Sequence, residues 1–228
     1  MWQWARRLLR AVHPEGIPWP GSVLYDALTR RAIFQRHYDL VARDVLGYCT
    51  QGRLLDIGTG SAWLLVRLRP LAPRLRLVGA DISTAMLRRA RRNLAKAGLE
   101  GQIEIRQGDA GRMPFSDGQF DLVVSTGSLH HWKTPVAGLN EVHRVLRDGG
   151  VALLYDLVKR LPESVDASVK SEFGRLRMRL LWLHSFEEPF FSPQDMESLA
   201  AGSLFGQGQT RFVGVLCCLV LRKGRREG

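Results

Sequence analysis

Cysteine is scarce in this 228-residue chain, occurring only at Cys49, Cys217 and Cys218. With no CxxC pair and no histidine or cysteine cluster at ligand spacing, a disulfide framework and a zinc module are both excluded, and no metal site is expected. Cys217 and Cys218 are adjacent, and neighbouring side chains on a strand point to opposite faces, so they are poorly placed to bridge each other. A reduced, cytoplasmic compartment is the expectation. Lysine is scarce too, at Lys96, Lys133, Lys159, Lys170 and Lys223 alone, so arginine supplies nearly all of the net charge of +11. That charge admits compositional bias, an anionic substrate, an anionic membrane surface or nucleic acid, and by itself selects none of them. Long apolar runs are missing: none approaches the roughly 18 residues of a spanning helix, and the N-terminus lacks the pattern of a signal peptide. The chain is expected to be neither secreted nor transmembrane.

What is present is ample apolar content, 45% of residues, enough for a sizeable core. From Arg53 onward, short β-branched or leucine-rich runs alternate with longer helical patterns, which predicts βαβ units and a mostly parallel sheet. The predicted strands are 53–57 (RLLDI), 75–80 (LRLVGA), 102–107 (QIEIRQ), 120–125 (FDLVVS) and 151–156 (VALLYD). One helix is predicted after Ser83 as N-cap, with Met86, Leu87, Ala90 and Leu94 as its apolar stripe and Gly98 at its end. Another is predicted over about 135–146, before a turn at Asp148-Gly149-Gly150. Ser192-Pro193 predicts a helix to about Ala201, and residues 211–223 predict a strand, a tight turn near Gly214 and a last strand.

Two parts depart from this rhythm. Residues 1–50 read as a mostly helical segment or cap, interrupted by the proline- and glycine-rich linker 13–21. Residues 160–191 read as a lid insertion with a helix at about 168–183 that is both basic, at Arg175, Arg177 and Arg179, and apolar, at Phe173, Leu176, Leu180, Leu181 and Trp182. The domain itself is taken as 51–228. Residues 1–12 place Trp2, Ala5, Leu9 and Val12 on one helical face and Arg6, Arg7 and Arg10 largely on another, a pattern that suits a membrane surface or packing on the domain equally.

The chemistry gathers at strand ends. In DIGTGSAWL (56–64), a strand runs into a Gly58-Gly60 turn that opens a helix, an arrangement that brings backbone N–H groups and a positive helix end to one spot. The dinucleotide fingerprint GxGxxG fails here, because Trp63 stands at the third glycine. Asp56 is a second objection, since a carboxylate repels a pyrophosphate and attracts a cationic ligand. Asp81 ends the second strand, where a carboxylate can accept from two ribose hydroxyls. Asp109 follows the third strand, placed to accept from an exocyclic amine, while Ile82 and Met86 could cover an adenine ring. Three acidic residues in register on successive strands are hard to read as helix caps alone.

With these motifs in order (LLDIGTGSA, VGADIS, GDAGRMPFSDGQFDLVVS, SLHHW and NEVHRVLRDGGVALLYD), the chain resembles a class I S-adenosylmethionine-dependent methyltransferase of the small-molecule, type 11 group. The likeness covers about residues 50–156 and runs on more weakly to residue 223. It implies an α/β, Rossmann-like sheet of seven strands with the last antiparallel, helices on both faces, and S-adenosyl-L-methionine as cofactor. It further implies Asp56, Gly58 and Gly60 at the methionine end, Asp81 at the ribose, Asp109 with Ala110 at the adenine, and Ser125 among the cofactor-side residues. Such proteins usually carry a third glycine where this chain has Ala62.

For the transfer itself, alignment and exclusion of water matter most. His130 and His131, just after the fourth strand, are the candidate bases, with His131 facing the acceptor, and Tyr155 and Asp156 follow as secondary candidates. The expected acceptor is a small hydrophobic or amphiphilic molecule such as a quinone, lipid or aromatic metabolite, methylated at O, S or C. Three alternatives stay open: an RNA methyltransferase, an NAD-linked oxidoreductase, and a non-catalytic cofactor-binding subunit. The first lacks an aromatic-rich stacking platform and the second meets the objections of Trp63 and Asp56.

Overall fold

A computed structural model describes residues 32–173 and 190–225. Seven strands form one sheet: β1 (Gln51–Ile57), β2 (Arg74–Asp81), β3 (Glu104–Gln107), β4 (Phe120–Thr126), β5 (Leu146–Asp156), β6 (Gln209–Val213) and β7 (Leu216–Arg222). Their order is β3-β2-β1-β4-β5-β7-β6. The pairs from β3 through β5 are parallel, and β7 inserts antiparallel between β5 and β6. The expected α/β, mostly parallel architecture with an antiparallel last strand is what the chain adopts. The order reverses between β1 and β4, the position at which open α/β sheets leave a crevice beyond their carboxyl ends.

Helices α1 (Ala32–Leu46), α2 (Trp63–Leu71) and α3 (Thr84–Lys96) cover one face, and α4 (Pro135–Val145) and α6 (Pro193–Ala201) cover the other. Between β5 and α6 lies α5 (Glu163–Phe173). The period-2 alternation of the strands feeds two cores. Leu54, Leu122, Leu153 and Cys218 enter the layer under α1 to α3, while Leu55, Val123, Leu154 and Cys217 enter the layer under α4 and α6. The neighbouring cysteines thus face opposite layers. Burial pushes both thiols up to about 12, so they stay protonated and inert.

Local signals in the sequence account for most element ends. The Ser83 side chain accepts from Met86 N at α3, and at α6 Ser192 and Asp195 form a complete capping box behind Pro193. Gly98 follows α3 at φ 69° and Gly214 makes the β6–β7 turn at φ 58°. Several boundaries differ from expectation, β1 among them, which begins at Gln51, two residues early. β3 begins at Glu104, two residues late. α4 ends at Val145, and Asp148-Gly149-Gly150 is a bulge inside β5: Phe120 pairs with Leu146, yet Leu122 pairs with Val151. Gly149, at φ 74°, absorbs the extra residues of this bulge, so the signal was a kink within a strand and not its start. Where a helix was expected at 168–183, the described helix is Glu163–Phe173, starting earlier; residues 174–183 of that expectation, with the 1–12 helix and the 13–21 linker, lie outside the described residues.

A polar latch ties α1 to the sheet. The Tyr155 hydroxyl donates to Asp44 Oδ2 at 2.6 Å, and Arg211 donates to the same oxygen and, at 3.2 Å, to the Tyr48 hydroxyl. Tyr155 is fully buried, which raises its phenol well above the usual range, and its hydroxyl serves the latch.

Candidate active site

A cavity of about 400 Å³ opens beyond the carboxyl ends of β1, β2 and β4. Of the residues singled out in the sequence, Gly58, Gly60, Asp81, Ile82, Met86, Asp109, Ala110 and His131 line it. Asp56 and Ser125 lie behind that lining, at 2% and 1% exposure. His130 is set back as well, at 7% exposure.

The loop after β1 is built differently from an anion cradle. Gly58 N and Thr59 N both donate to Ala80 O, at 2.8 and 3.0 Å, and Gly60 N donates to Asp81 Oδ2 at 2.9 Å. The N–H groups of residues 58–60 are therefore spent on β2, which corrects the expectation that this turn offers them to a ligand. The turn supplies shape instead. Gly58 and Gly60 sit at φ 68° and 54°, a region glycine enters without penalty. Ala62 adopts φ 64° as well, the only non-glycine to do so among the described residues, and it is fully buried at the N-cap of α2 with no side-chain capping bond. The close helix-to-sheet approach is achieved two residues beyond Trp63, where Leu65 Cδ1 comes within 2.9 Å of where a Cβ on Gly79 would stand.

The charges lining the cavity are mixed, Asp81 and Asp109 against Arg112 and Lys133, while Asp56 lies buried behind them. Asp56 accepts from the Thr59 hydroxyl at 2.8 Å, and burial pushes its carboxyl up to about 7, with the nearby Asp81 adding to the rise. Burial also raises Asp81, against the pull of the bonds it accepts from Ser83 N and Gly60 N. The Ser61 and Ser125 hydroxyls are buried without a hydrogen-bond partner among the described residues. Two desolvated carboxylates and two orphan hydroxyls suit a ligand that carries positive charge and hydroxyl or amino donors. They do not suit a pyrophosphate.

The opposite end is organised by the short 3₁₀ turn Leu129–His131. His130 Nδ1 lies 2.8 and 2.9 Å from the two Asp156 oxygens, and Asp156 also accepts from His130 N and Leu157 N. His130 and Asp156 thus anchor the turn, with the Phe190 ring tilted 57° against His130 at 4.7 Å between centroids. The His131 ring, 3.9 Å from that of His130, is left facing the cavity. The loop after β3 is clamped from α4: Glu141 accepts from Met113 N, and Arg144 donates to Met113 O and Phe115 O. In that loop Asp109 Oδ1 accepts from Gly111 N at 2.8 Å.

Sequence reasoning missed Arg112, Ser128, Trp132, Lys133 and Thr134, which also line the cavity. Arg112 lay within the GDAGRMPF stretch and Ser128 and Trp132 within SLHHW, where the paired histidines drew attention from the serine and tryptophan that flank them. Among the described residues there is no cluster that could hold a metal ion and no helix long and apolar enough to cross a membrane.

Comparison with known proteins agrees with this geometry. Residues 55–154 match a family model described as a methyltransferase domain. A demethylmenaquinone methyltransferase of Thermus thermophilus is 38% identical over 168 residues, covering 67% of this chain and 74% of that one. One from Desulfitobacterium hafniense is 34% identical over 188 residues, covering 75% and 74%. Among solved structures, a SAM-dependent methyltransferase from Aquifex aeolicus has the same fold at a TM-score of 0.63, with 18% identity and coverage of 82% and 92%. The strand-end carboxylates, the loop turned away from anions and these relatives converge: the chain belongs to the class I S-adenosylmethionine-dependent methyltransferases of the type 11 group.

Proposed function

We propose that the acceptor of this S-adenosylmethionine-dependent methyl transfer is a hydrophobic quinol, methylated on a ring carbon, and that the cavity described above holds the cofactor. The observation that carries this reading is the pairing of a carboxylate-floored cavity with His131 at its far wall, in a chain whose relatives are demethylmenaquinone methyltransferases.

In this reading Asp81 accepts from the ribose hydroxyls, Ile82 and Met86 flank the adenine, and Asp109 with Ala110 meets its edge. Asp56 and the Gly58–Gly60 turn lie toward the methionine end, with Ser125 behind them. When bound, S-adenosylmethionine supplies an electrophilic methyl group on a positively charged sulfur. Asp56 and Asp81 favour that charge across a dry gap, where attraction is weakly screened. His131 takes the proton released from the acceptor, and His130, held by Asp156, fixes the turn that aims it. Peripheral membrane contact through residues 1–12 would give access to a lipid-dissolved acceptor.

The test is incubation with S-adenosylmethionine and a detergent-solubilised demethylated naphthoquinol, following S-adenosylhomocysteine and ring-methylated product by mass spectrometry. Faster turnover of a water-soluble hydroxylated acceptor would overturn the quinol assignment. Liposome co-sedimentation of the full chain, with and without residues 1–12, tests the membrane contact separately; equal pelleting of the two forms would remove it.

A further inference from the structure

The Gly58 turn is held from two sides, and the second side has no part in the reading so far. On the first, Ala80 O takes the N–H groups of Gly58 and Thr59. On the second, the Ser128 side chain fills the space a Cβ on Gly58 would occupy, its Oγ 2.2 Å and its Cβ 2.6 Å from that point. Ser128 is in turn fixed by Trp132, whose Nε1–H donates to Ser128 Oγ at 3.0 Å. The indole is seated on α4 at Gly138, where an added Cβ would stand 2.4 Å from Cε3 and 2.7 Å from Cζ3. Trp132 is 7% exposed, and Gly138 does not line the cavity.

These contacts form one line, Gly138 to Trp132 to Ser128 to Gly58, that runs from a helix in the opposite layer to the loop at the methionine end of the cavity. We propose that Trp132 and Ser128 are positioning residues for cofactor binding, acting as a prop that sets the Gly58 turn against α4. The inference rests on the reading that the cavity holds S-adenosylmethionine. A serine hydroxyl that accepts the indole N–H has its rotamer fixed, and a fixed Ser128 leaves the turn one position to occupy. Without the indole donor, Ser128 is free to rotate and the turn gains alternatives that do not match the cofactor. The effect falls on affinity, because the Ser128 hydroxyl is the group that meets Gly58 and the indole N–H, whereas the turn carrying His131 is held through the backbone, His131 N donating to Ser128 O at 3.0 Å.

The probe is S-adenosylhomocysteine, titrated by calorimetry into the wild-type protein, Trp132→Phe, Ser128→Ala and the double variant. Trp132→Phe keeps an aromatic ring on Gly138 and removes the donor, so folding is preserved while the bond is lost. Each single change is expected to weaken binding about 3- to 10-fold, and the double change no more than the weaker-binding single, since both remove one bond. Steady-state kinetics should show the loss in KM for S-adenosylmethionine with kcat nearly constant. Gly138→Ala, which touches no ligand, should also weaken binding by displacing the indole. Losses that multiply in the double variant, or unchanged affinity in both singles, would overturn the prop. Asp81→Ala serves as the control: if it binds S-adenosylhomocysteine as well as wild type, the cavity assignment itself fails.

Discussion

Replacing Asp56 with asparagine should stabilise the empty protein and weaken cofactor binding at once, and the size of the first effect should depend on pH. The Asp56 carboxyl is buried at 2% exposure and raised from 3.8 to about 7, chiefly by desolvation, partly opposed by the Thr59 hydroxyl and reinforced by Asp81. Because the folded state holds this proton more tightly than the unfolded chain, its contribution to stability is full below about pH 4 and is lost as pH rises towards 7. At about 1.4 kcal/mol per pKa unit, the ionised carboxylate costs the fold about 4 kcal/mol above pH 7, of which about 2–3 kcal/mol falls between pH 5 and pH 8. Asparagine cannot ionise, so Asp56→Asn should gain on wild type by about 2–3 kcal/mol across that interval in urea denaturation of the cofactor-free protein. Calorimetry should show the converse for S-adenosylmethionine: wild-type affinity rising with pH towards 7 as Asp56 ionises, and the asparagine variant weaker, without this rise. A constant stability difference from pH 5 to pH 8 would show that Asp56 does not titrate there, and would refute the electrostatic account of the site.

Three further outcomes follow from neighbouring geometry. Asp81→Ala removes the acceptor for Gly60 N and Ser83 N as well as the proposed ribose contact, and should weaken S-adenosylmethionine binding about 10- to 100-fold by calorimetry, a charge-assisted bond being worth about 1.5–3 kcal/mol. Ala62→Gly relieves about 1–2 kcal/mol of left-handed strain but forgoes about 0.8 kcal/mol of methyl burial and about 0.4–1 kcal/mol of backbone entropy, so denaturation should place it within about 1 kcal/mol of wild type. A loss above about 2 kcal/mol would mean the methyl is a packing element. Asp44→Ala strands the buried Tyr155 hydroxyl and should cost about 2 kcal/mol, a fall in Tm of about 4–8 °C by calorimetric scan; Arg211, 36% exposed, can rehydrate and adds little.

The strands, the capped helices and the hairpin at Gly214 were legible because each is announced locally, by period, cap or turn residue. Cavity-lining residues were legible for a related reason: Gly58, Asp81 and Asp109 lie at or just after strand ends, and parallel strands bring their carboxyl ends together whatever the details. The direction of the 58–60 N–H groups was not legible, because their acceptors, Ala80 O and the Asp81 carboxylate, lie on a strand some twenty residues further on. The Asp148-Gly150 bulge was misread as a turn for the same reason, since only its register against β4 distinguishes the two. Ser128 and Trp132 stood within the SLHHW stretch without announcing a role, because a prop is defined by what it touches: Gly58 precedes Ser128 by 70 residues in the chain and Gly138 follows in another helix.

The loop from Asp56 to Ala62 and its floor break local rules more densely than any other stretch described. It holds a buried carboxylate with no cation beside it, a left-handed alanine, and a serine hydroxyl without a partner, with a second such hydroxyl on Ser125 beneath. Each carries a cost that packing alone would have removed, by asparagine, glycine and alanine respectively. Costs of this kind persist together where a ligand repays them, and a cation with hydroxyl and amino donors answers the carboxylate and hydroxyl faults in one step. The left-handed alanine is not answered by any ligand. It is answered by the start of α2, whose buried Leu64 and Leu65 pack the first turn down, Leu65 onto Gly79 of β2.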